Sequence, residues 1–324
     1  MKASEAIRWG IIGCGDVTEK KSGPAYRQTE GFRLDAVMRR DRGKAEDYAR
    51  RHGVPFATDR AEDLLENEAL DAIYIATPPD SHMDYALRVA AAGKICCIEK
   101  PLTPTYEEGR RIVEAFRAKD LPLFVAYYRR YLPRFVKVKS LLDQGIIGAV
   151  RHVQWTYCAP AKASDVDAWR TDARIAPGGL FDDLASHGLD LLGYLLGEYQ
   201  QVKGFALNQQ GAYSAFDAVS ACWTHASGAT GMGTWNFGSA IYTDHVEIHG
   251  EKGRITFAVF AGVPVLLKTA SHEECYHIPH PDPVQRYHVQ AMADQLLRGK
   301  RHVSTGETAL HTAWVMEEIL TGAK

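Results

Sequence analysis

Through residues 1–127, short apolar runs alternate with longer segments whose apolar positions recur at helical spacing. The runs Ile7–Ile12, Arg33–Met38, Ala72–Ala76, Ile95–Glu99 and Leu123–Tyr127 predict strands, and Val54–Ala57 is a further candidate. The segments Arg42–Arg51, Ala61–Glu66, Ser81–Ala92 and Thr105–Lys119 predict helices. Thr105-Tyr106-Glu107-Glu108 has the form of a capping box, with Thr105 at the N-cap and Glu108 three residues on. Such alternation makes βαβ units: a mostly parallel sheet, helices on both faces, right-handed crossovers.

Beyond residue 127 the pattern changes. A helix is predicted around Pro133–Asp143. Strands follow at Val150–Tyr157, Gln201–Leu207, Ala218–Thr224, Thr230–Phe237, His245–His249, Arg254–Val259 and Val263–Thr269. Turn signals such as Ser227-Gly228 and Glu251-Lys252-Gly253 separate several of them. The chain returns to helix at Val284–Leu297 and Glu307–Leu320, and Ser304 with Glu307 is a second capping-box match. The expected α/β architecture is therefore a Rossmann-type doubly wound domain over 1–127. An α+β domain with a large, mostly antiparallel open sheet follows over 128–324. This pattern leaves open that the C-terminal helices pack back on the first domain.

Charge narrows the function. Lys+Arg 38 against Asp+Glu 40 gives a formal net charge of −2 over 324 residues, which speaks against a protein that coats nucleic acid or an anionic membrane. At 46% hydrophobic and 24% charged residues the composition is globular, and extended disorder is not expected. The longest nearly apolar run, Ile255–Leu267, is too short to span a bilayer. No apolar core of a secretory signal is visible at the N-terminus. The cysteines at 14, 96, 97, 158, 222 and 275 form no Cys-x-x-Cys pair, and together with 13 histidines they show no zinc-ligand spacing. No metal is expected, and free thiols point to a cytoplasmic protein.

Ile7–Ile12 runs into Gly13-Cys14-Gly15-Asp16-Val17-Thr18. The first glycine permits a tight turn, and the second lets backbone N–H groups approach a pyrophosphate at a helix start. Thr18 stands where the third glycine of G-x-G-x-x-G belongs. Alone, the partial motif is an ordinary turn. On the first strand of a βαβ series it reads as a cofactor loop made by Gly13, Cys14, Gly15, Asp16 and Val17. NAD sites place an acid at the end of the second strand for the ribose 2′-hydroxyl. Asp35 has the right separation from Gly15 but lies inside the strand, and the edge reads Met38-Arg39-Arg40-Asp41. Guanidinium groups there suit a 2′-phosphate; the plain alternative is a solvated pair. NADP is the expected cofactor, and NAD is the alternative.

Glu99-Lys100-Pro101 closes the fifth main strand, at the carboxyl edge where open α/β sheets bind ligands. With the glycine loop, Ala76-Thr77-Pro78-Pro79 and His82, the chain resembles the glucose–fructose oxidoreductase/inositol dehydrogenase/MocA family over essentially its whole length. Gly178-Gly179-Leu180-Phe181-Asp182-Asp183-Leu184-Ala185-Ser186-His187 is similar to that family's glycine-rich stretch leading to Asp-x-x-x-His. Arg129-Arg130 with Pro133, and Trp169-Arg170, match family positions near the substrate. Each motif is weak alone; their order and spacing are specific.

Membership implies hydride transfer between a nicotinamide and a carbinol or carbonyl of a sugar, polyol or related ring. Cofactor contacts are then expected at Thr77, Pro78, His82, Glu99 and Lys100 as well as the loop and the two arginines. Substrate contacts are expected at Lys100, Arg129, Trp169, Arg170, Asp183 and His187. The chemistry fits the residue types. Lys100 polarises the substrate oxygen, His187 exchanges its proton, and Asp183, four residues from His187 on a helix, orients the imidazole or the substrate. An NAD-dependent inositol or sugar dehydrogenase is the alternative within enzymes. A non-catalytic dinucleotide-binding sensor is the alternative outside them, disfavoured by the presence of Lys100, Asp183 and His187. A broad sheet with helices toward one side leaves a face to be covered, and similar proteins pair such sheets. A homodimer or homotetramer is expected, in contact through strands between Gln201 and Thr269.

Overall fold

Short β-branched and aromatic runs form the first sheet because each is covered on both faces. The computed structural model describes residues 6–166 and 168–322. The strands are β1 (Ile7–Ile12), β2 (Phe32–Met38), β3 (Phe56–Thr58), β4 (Ala72–Ile75), β5 (Ile95–Ile98) and β6 (Leu123–Val125), all parallel, in the order β3-β2-β1-β4-β5-β6. Neighbouring residues serve opposite layers. Ile12, Met38, Ile75, Cys96 and Ile98 enter one core; Ile11, Val37, Tyr74, Cys97 and Phe124 enter the other. The adjacent cysteines are thus buried on opposite sides of β5, as strand geometry requires. Strand order reverses between β1 and β4, which opens a crevice at their carboxyl ends.

The connecting helices are α1 (Asp16–Lys20), α2 (Gly23–Gln28), α3 (Arg42–His52), α4 (Glu62–Leu65), α5 (His82–Ala91) and α6 (Tyr106–Ala118). Asp41 caps α3 by accepting from Lys44 N at 3.1 Å. Thr105 caps α6 by accepting from Glu108 N at 3.3 Å.

Two helices of 13 and 16 residues follow the second sheet's strands, and here the 128–324 boundary gives way in part to the packing-back that the pattern left open. The compact units are Met1–Tyr128 with Pro281–Leu310, and Arg129–His280 with His311–Lys324. Residues 281–310 therefore belong with the nucleotide-fold unit, not with a continuous 128–324 domain. Val289, Met292 and Ala293 of α9 (Arg286–Arg298) enter the same core layer as Trp9 and Tyr26. The second capping-box reading also fails. Ser304 Oγ donates to Val125 O at 2.7 Å, covering the edge of β6. The start of α10 (Gly306–Thr321) is capped instead by Thr305, whose Oγ1 accepts from Thr308 N at 3.5 Å while its own N–H donates to Thr308 Oγ1 at 3.1 Å.

The second unit is built on an eight-stranded sheet with the order β14-β13-β12-β11-β7-β10-β9-β8. Its strands are β7 (Val150–Cys158), β8 (Tyr199–Leu207), β9 (Ala218–His225), β10 (Thr230–Asn236), β11 (Thr243–Gly250), β12 (Gly253–Phe257), β13 (Val265–Thr269) and β14 (Glu273–Tyr276). Only β7 and β10 pair in parallel; the other neighbours are antiparallel. Strict alternation places Val153, Trp155, Tyr157, Trp223 and Trp235 in the interior and leaves Phe205, Leu207, Met232 and Leu266 exposed. The helices of this unit include α7 (Pro133–Asp143), α8 (Leu180–Leu196) and the part of α10 from His311 on. Among the described residues, no helix is long and apolar enough to cross a membrane.

Candidate active site

In the first unit the backbone itself makes the cofactor loop. Gly13 adopts φ +95°. A Cβ there would stand 2.8 Å from Thr77 Cγ2 and 3.0 Å from the carbonyl atoms of Ala76. Gly13 N and Cys14 N both donate to Met38 O, at 2.9 and 3.1 Å, tying the turn to the end of β2. At Gly15 an added Cβ would meet nothing nearer than 4.0 Å, so the turn keeps open space beside it. Asp16 is exposed and Val17 half-buried. The Cys14 side chain is fully buried, and burial pushes its thiol up to about 11, so only its backbone faces the loop's exterior. Thr18 Oγ1 donates to Gly15 O at 2.7 Å. The close approach expected of a third glycine occurs at Gly23, where a Cβ would lie 2.2 Å from Thr18 O. A left-handed glycine turn with free space at its second glycine fits the pyrophosphate of NAD or NADP.

At the end of β2, Arg39 Nη1 donates to Cys14 O at 3.3 Å, and Arg40 is exposed. Asp35 pairs with Arg33 at 3.2 Å within the strand, while Asp41 is engaged as the cap of α3.

The turn after β5 is held by Glu99. This buried carboxylate accepts from Tyr74 OH at 2.5 Å and Gln285 Nε2 at 3.0 Å on one oxygen, and from Lys100 N at 3.2 Å on the other. Its side chain therefore fixes the backbone of Lys100. The Lys100–Pro101 peptide is cis. His82 was expected at the cofactor; the structure instead buries it completely. Its Nε2 lies 2.9 Å from Thr77 O, and its Nδ1 lies 3.0 Å from Leu102 O and 3.2 Å from Pro101 O. It braces the Thr77-Pro78 turn against the Lys100-Pro101 turn. Burial holds its pKa below the ordinary imidazole range. Thr77 Oγ1 accepts from Ser81 Oγ at 2.8 Å, and the same hydroxyl lies 2.9 Å from Pro78 O.

In the second unit the site is made of side chains on one helix face. Gly179, at φ +64°, lies where a Cβ would be 2.8 Å from Phe216 O, and α8 begins immediately after it. Asp182 is buried and accepts from Gly178 N at 2.8 Å. Burial, with the neighbouring Asp183 charge, pushes its carboxyl to about 7. Asp183, His187 and Asp190 then follow along one face at helical spacing. Asp183 accepts from Arg170 Nε at 2.9 Å, and the Arg170 guanidinium lies 4.4 Å over the Trp169 ring. His187 is buried and meets Phe260 edge-to-face, at 6.1 Å between ring centres. Gly188 brings the helix against the sheet, since a Cβ there would lie 2.2 Å from ring atoms of Trp155.

Around this face stand Arg129 and Arg130, singled out in the sequence, and Asp190, Asp244, Arg134 and Phe260, which were not. Arg130 makes a two-point ion pair with Asp190, at 2.8 and 2.6 Å, both side chains buried. Arg129 lies 4.3 Å over the Phe260 ring and donates to Val259 O at 2.5 Å, so the expected substrate contact is also a packing element. Asp244 accepts from the backbone N–H of Val259, Phe260 and Ala261 and from Trp155 Nε1. Arg134 donates to the carbonyls of Ala258, Ala261 and Val263. Together they hold Phe260 against His187.

An oxidoreductase-family model with an NAD-binding Rossmann fold matches residues 7–127, and the GFO/IDH/MocA C-terminal domain model matches residues 135–256. The chain is 36% identical over 315 residues to oxidoreductase P35 of Formosa agariphila, covering 96% of this chain and 97% of that one. It is 29% identical over 297 residues to the inositol 2-dehydrogenase of Rhizobium meliloti, covering 90% and 86%. A levoglucosan dehydrogenase solved with NADH and levoglucosan superposes with a TM-score of 0.88 at 22% identity, covering 98% of this chain and 97% of that one. The chain thus belongs to the Gfo/Idh/MocA family of NAD(P)-dependent oxidoreductases.

Proposed function

We propose that the protein is a dehydrogenase of a sugar or cyclic polyol, with Lys100, Asp183 and His187 as its catalytic residues. The observation that carries this reading is the way each of the three is fixed. Lys100 is fixed through Glu99, Asp183 through Arg170, and His187 through the packing of Phe260. The nicotinamide, when bound, accepts or supplies the hydride. The Lys100 ammonium stabilises negative charge on the substrate oxygen. His187 takes that oxygen's proton in oxidation and returns it in reduction. Asp183, neutralised in part by Arg170, holds a substrate hydroxyl.

NAD is supported by the levoglucosan dehydrogenase, solved with NADH, whereas a D-xylose 1-dehydrogenase among the relatives is named for NADP. Arg39 and Arg40 favour a second reading, NADP preference, because both stand at the ribose end of β2 while Asp35 and Asp41 are engaged elsewhere. Turnover of D-glucose, D-xylose, myo-inositol and levoglucosan with each cofactor tests both readings. Tight cofactor binding without turnover of any carbinol would favour the sensor. Six free cysteines fit a cytoplasmic location.

We also propose a homodimer or homotetramer closed over the sheet face that carries Phe205, Leu207, Met232 and Leu266. Light scattering at micromolar concentration is expected to give at least twice the 35.9 kDa chain mass; a monomer would contradict it.

A further inference from the structure

A second concavity lies beside the Asp183 face, wholly within the second unit. It is a cavity of about 720 Å³, within the range of small-molecule sites. Trp169, Ile175 and Tyr213 give it an apolar, largely aromatic lining, and Asp172 and Arg174 add a charged pair. Its walls are built rigidly from two loops. Thr171 Oγ1 donates to Asp165 O and to Ala168 O, at 2.5 and 2.9 Å. Ser214 Oγ accepts from Ala173 N at 2.9 Å, and Ala215 N donates to Thr171 O at 3.2 Å. Asp172 and Arg174 are locked together, Nη2 to Oδ2 at 2.6 Å, which leaves guanidinium donors over. The Tyr213 hydroxyl is buried with no hydrogen-bond partner among the described residues. Leaving such a group unsatisfied costs about 1–3 kcal/mol, and a change of rotamer about Cα–Cβ would swing it to a ligand hydroxyl in the cavity.

The connection to the candidate catalytic face is one stacked side chain. Trp169 lines the cavity; Arg170 lies over its ring and pairs with Asp183. We propose that this cavity is a subsite for a second sugar ring, so that the preferred substrate is a glycoside or disaccharide and not a free monosaccharide. A pyranose has an apolar C–H face that packs on Trp169 or Tyr213, and peripheral hydroxyls that suit Arg174, Asp172 and the Tyr213 hydroxyl. The proposal rests on the sugar dehydrogenase reading and adds the size of the substrate to it.

The test compares D-glucose with cellobiose, maltose and gentiobiose in the full-length enzyme with NAD and NADP. It is repeated in Ala212→Trp, and in Ala173→Trp should the first variant fold poorly; both positions line the cavity. The best disaccharide is expected to exceed glucose at least tenfold in kcat/KM. Filling the cavity should abolish that advantage while glucose turnover stays within about twofold. Equal kcat/KM for one and two rings, or an advantage that survives both substitutions, overturns the subsite and leaves the dehydrogenase reading intact. If no sugar is turned over, calorimetry with cellobiose decides. Binding lost in the filled variants supports the subsite although the dehydrogenase reading fails, and absence of binding overturns both.

Discussion

The two units place their chemistry by opposite means. In the first, backbone does the placing. Gly13 turns left-handed against Ala76, and two N–H groups of the turn share the Met38 carbonyl. In the second, side chains do it: a helix face carries Asp183, His187 and Asp190, and charged groups far away in sequence hold each neighbour in place. A site made of backbone depends on residues within a few positions of one another. A site made of side chains depends on partners that only the tertiary fold brings together. The first is sensitive to glycine replacement, the second to removal of one member of a buried pair.

The largest expected effect separates binding from chemistry. His187→Ala should lower kcat by about 100- to 10,000-fold, and Lys100→Met by about 100- to 1,000-fold. If the two act on the substrate oxygen and not on the cofactor, both should leave NAD(P)H titration by nicotinamide fluorescence unchanged; weakened titration in Lys100→Met alone would keep Lys100 as a cofactor contact. Near-normal turnover of His187→Ala on a verified substrate would remove the imidazole from the mechanism. Next comes the buried pair. Asp190→Asn strands the Arg130 charge and should lose about 3–5 kcal/mol of stability in urea unfolding, whereas a surface substitution such as Lys300→Ala should not register. A loss below 1 kcal/mol would mean that the pair is not a main support of the helix face.

Asp182 gives a pH-dependent test. Its carboxyl, normally near 3.8, is pushed by burial to about 7 in the folded protein. The folded state therefore keeps a proton that the unfolded state has lost. The stability this proton confers is complete below pH 4 and disappears as pH rises to 7. Asp182→Asn should match the parent near pH 4 and exceed it at pH 8, by an amount on the order of 2 kcal/mol or more in denaturant midpoints. A pH-independent difference would show that the carboxyl is already ionised. The smallest effect is at the cofactor edge. If the arginines favour NADP, NADPH binds roughly tenfold tighter than NADH, and Arg39→Asp reverses the order; equal affinities in the parent favour the NAD reading.

The same division governs what the sequence discloses. β1 follows from a short apolar run, most strands of the second sheet from local alternation, and Gly13 and Gly15 from their place after β1. α8 was visible only at Asp183 and His187, because its polar face is itself buried, with Asp182, Ser186, His187 and Asp190 all inside, and so no solvent-facing polar stripe marks the helix. β14 was missed, since Glu-Glu-Cys-Tyr at an exposed sheet edge has no alternation to read. The grouping of residues 281–310 with the first unit was left open by the helical pattern and not located, because Ser304 and Val125 meet across a long stretch of chain. Phe260 and Asp244 escaped for the same reason: nothing within several residues of either anticipates a carboxylate accepting from a loop on another strand.

The contact between Gly188 and Trp155 has a consequence for redesign. With no room for even one methyl group between helix and sheet, α8 can neither slide nor roll, so the residue after His187 offers no route to a different substrate. Laboratory evolution toward new substrates should therefore collect its changes in the loops around Trp169, Tyr213 and Phe260. Libraries directed at those loops should outperform libraries directed at the helix.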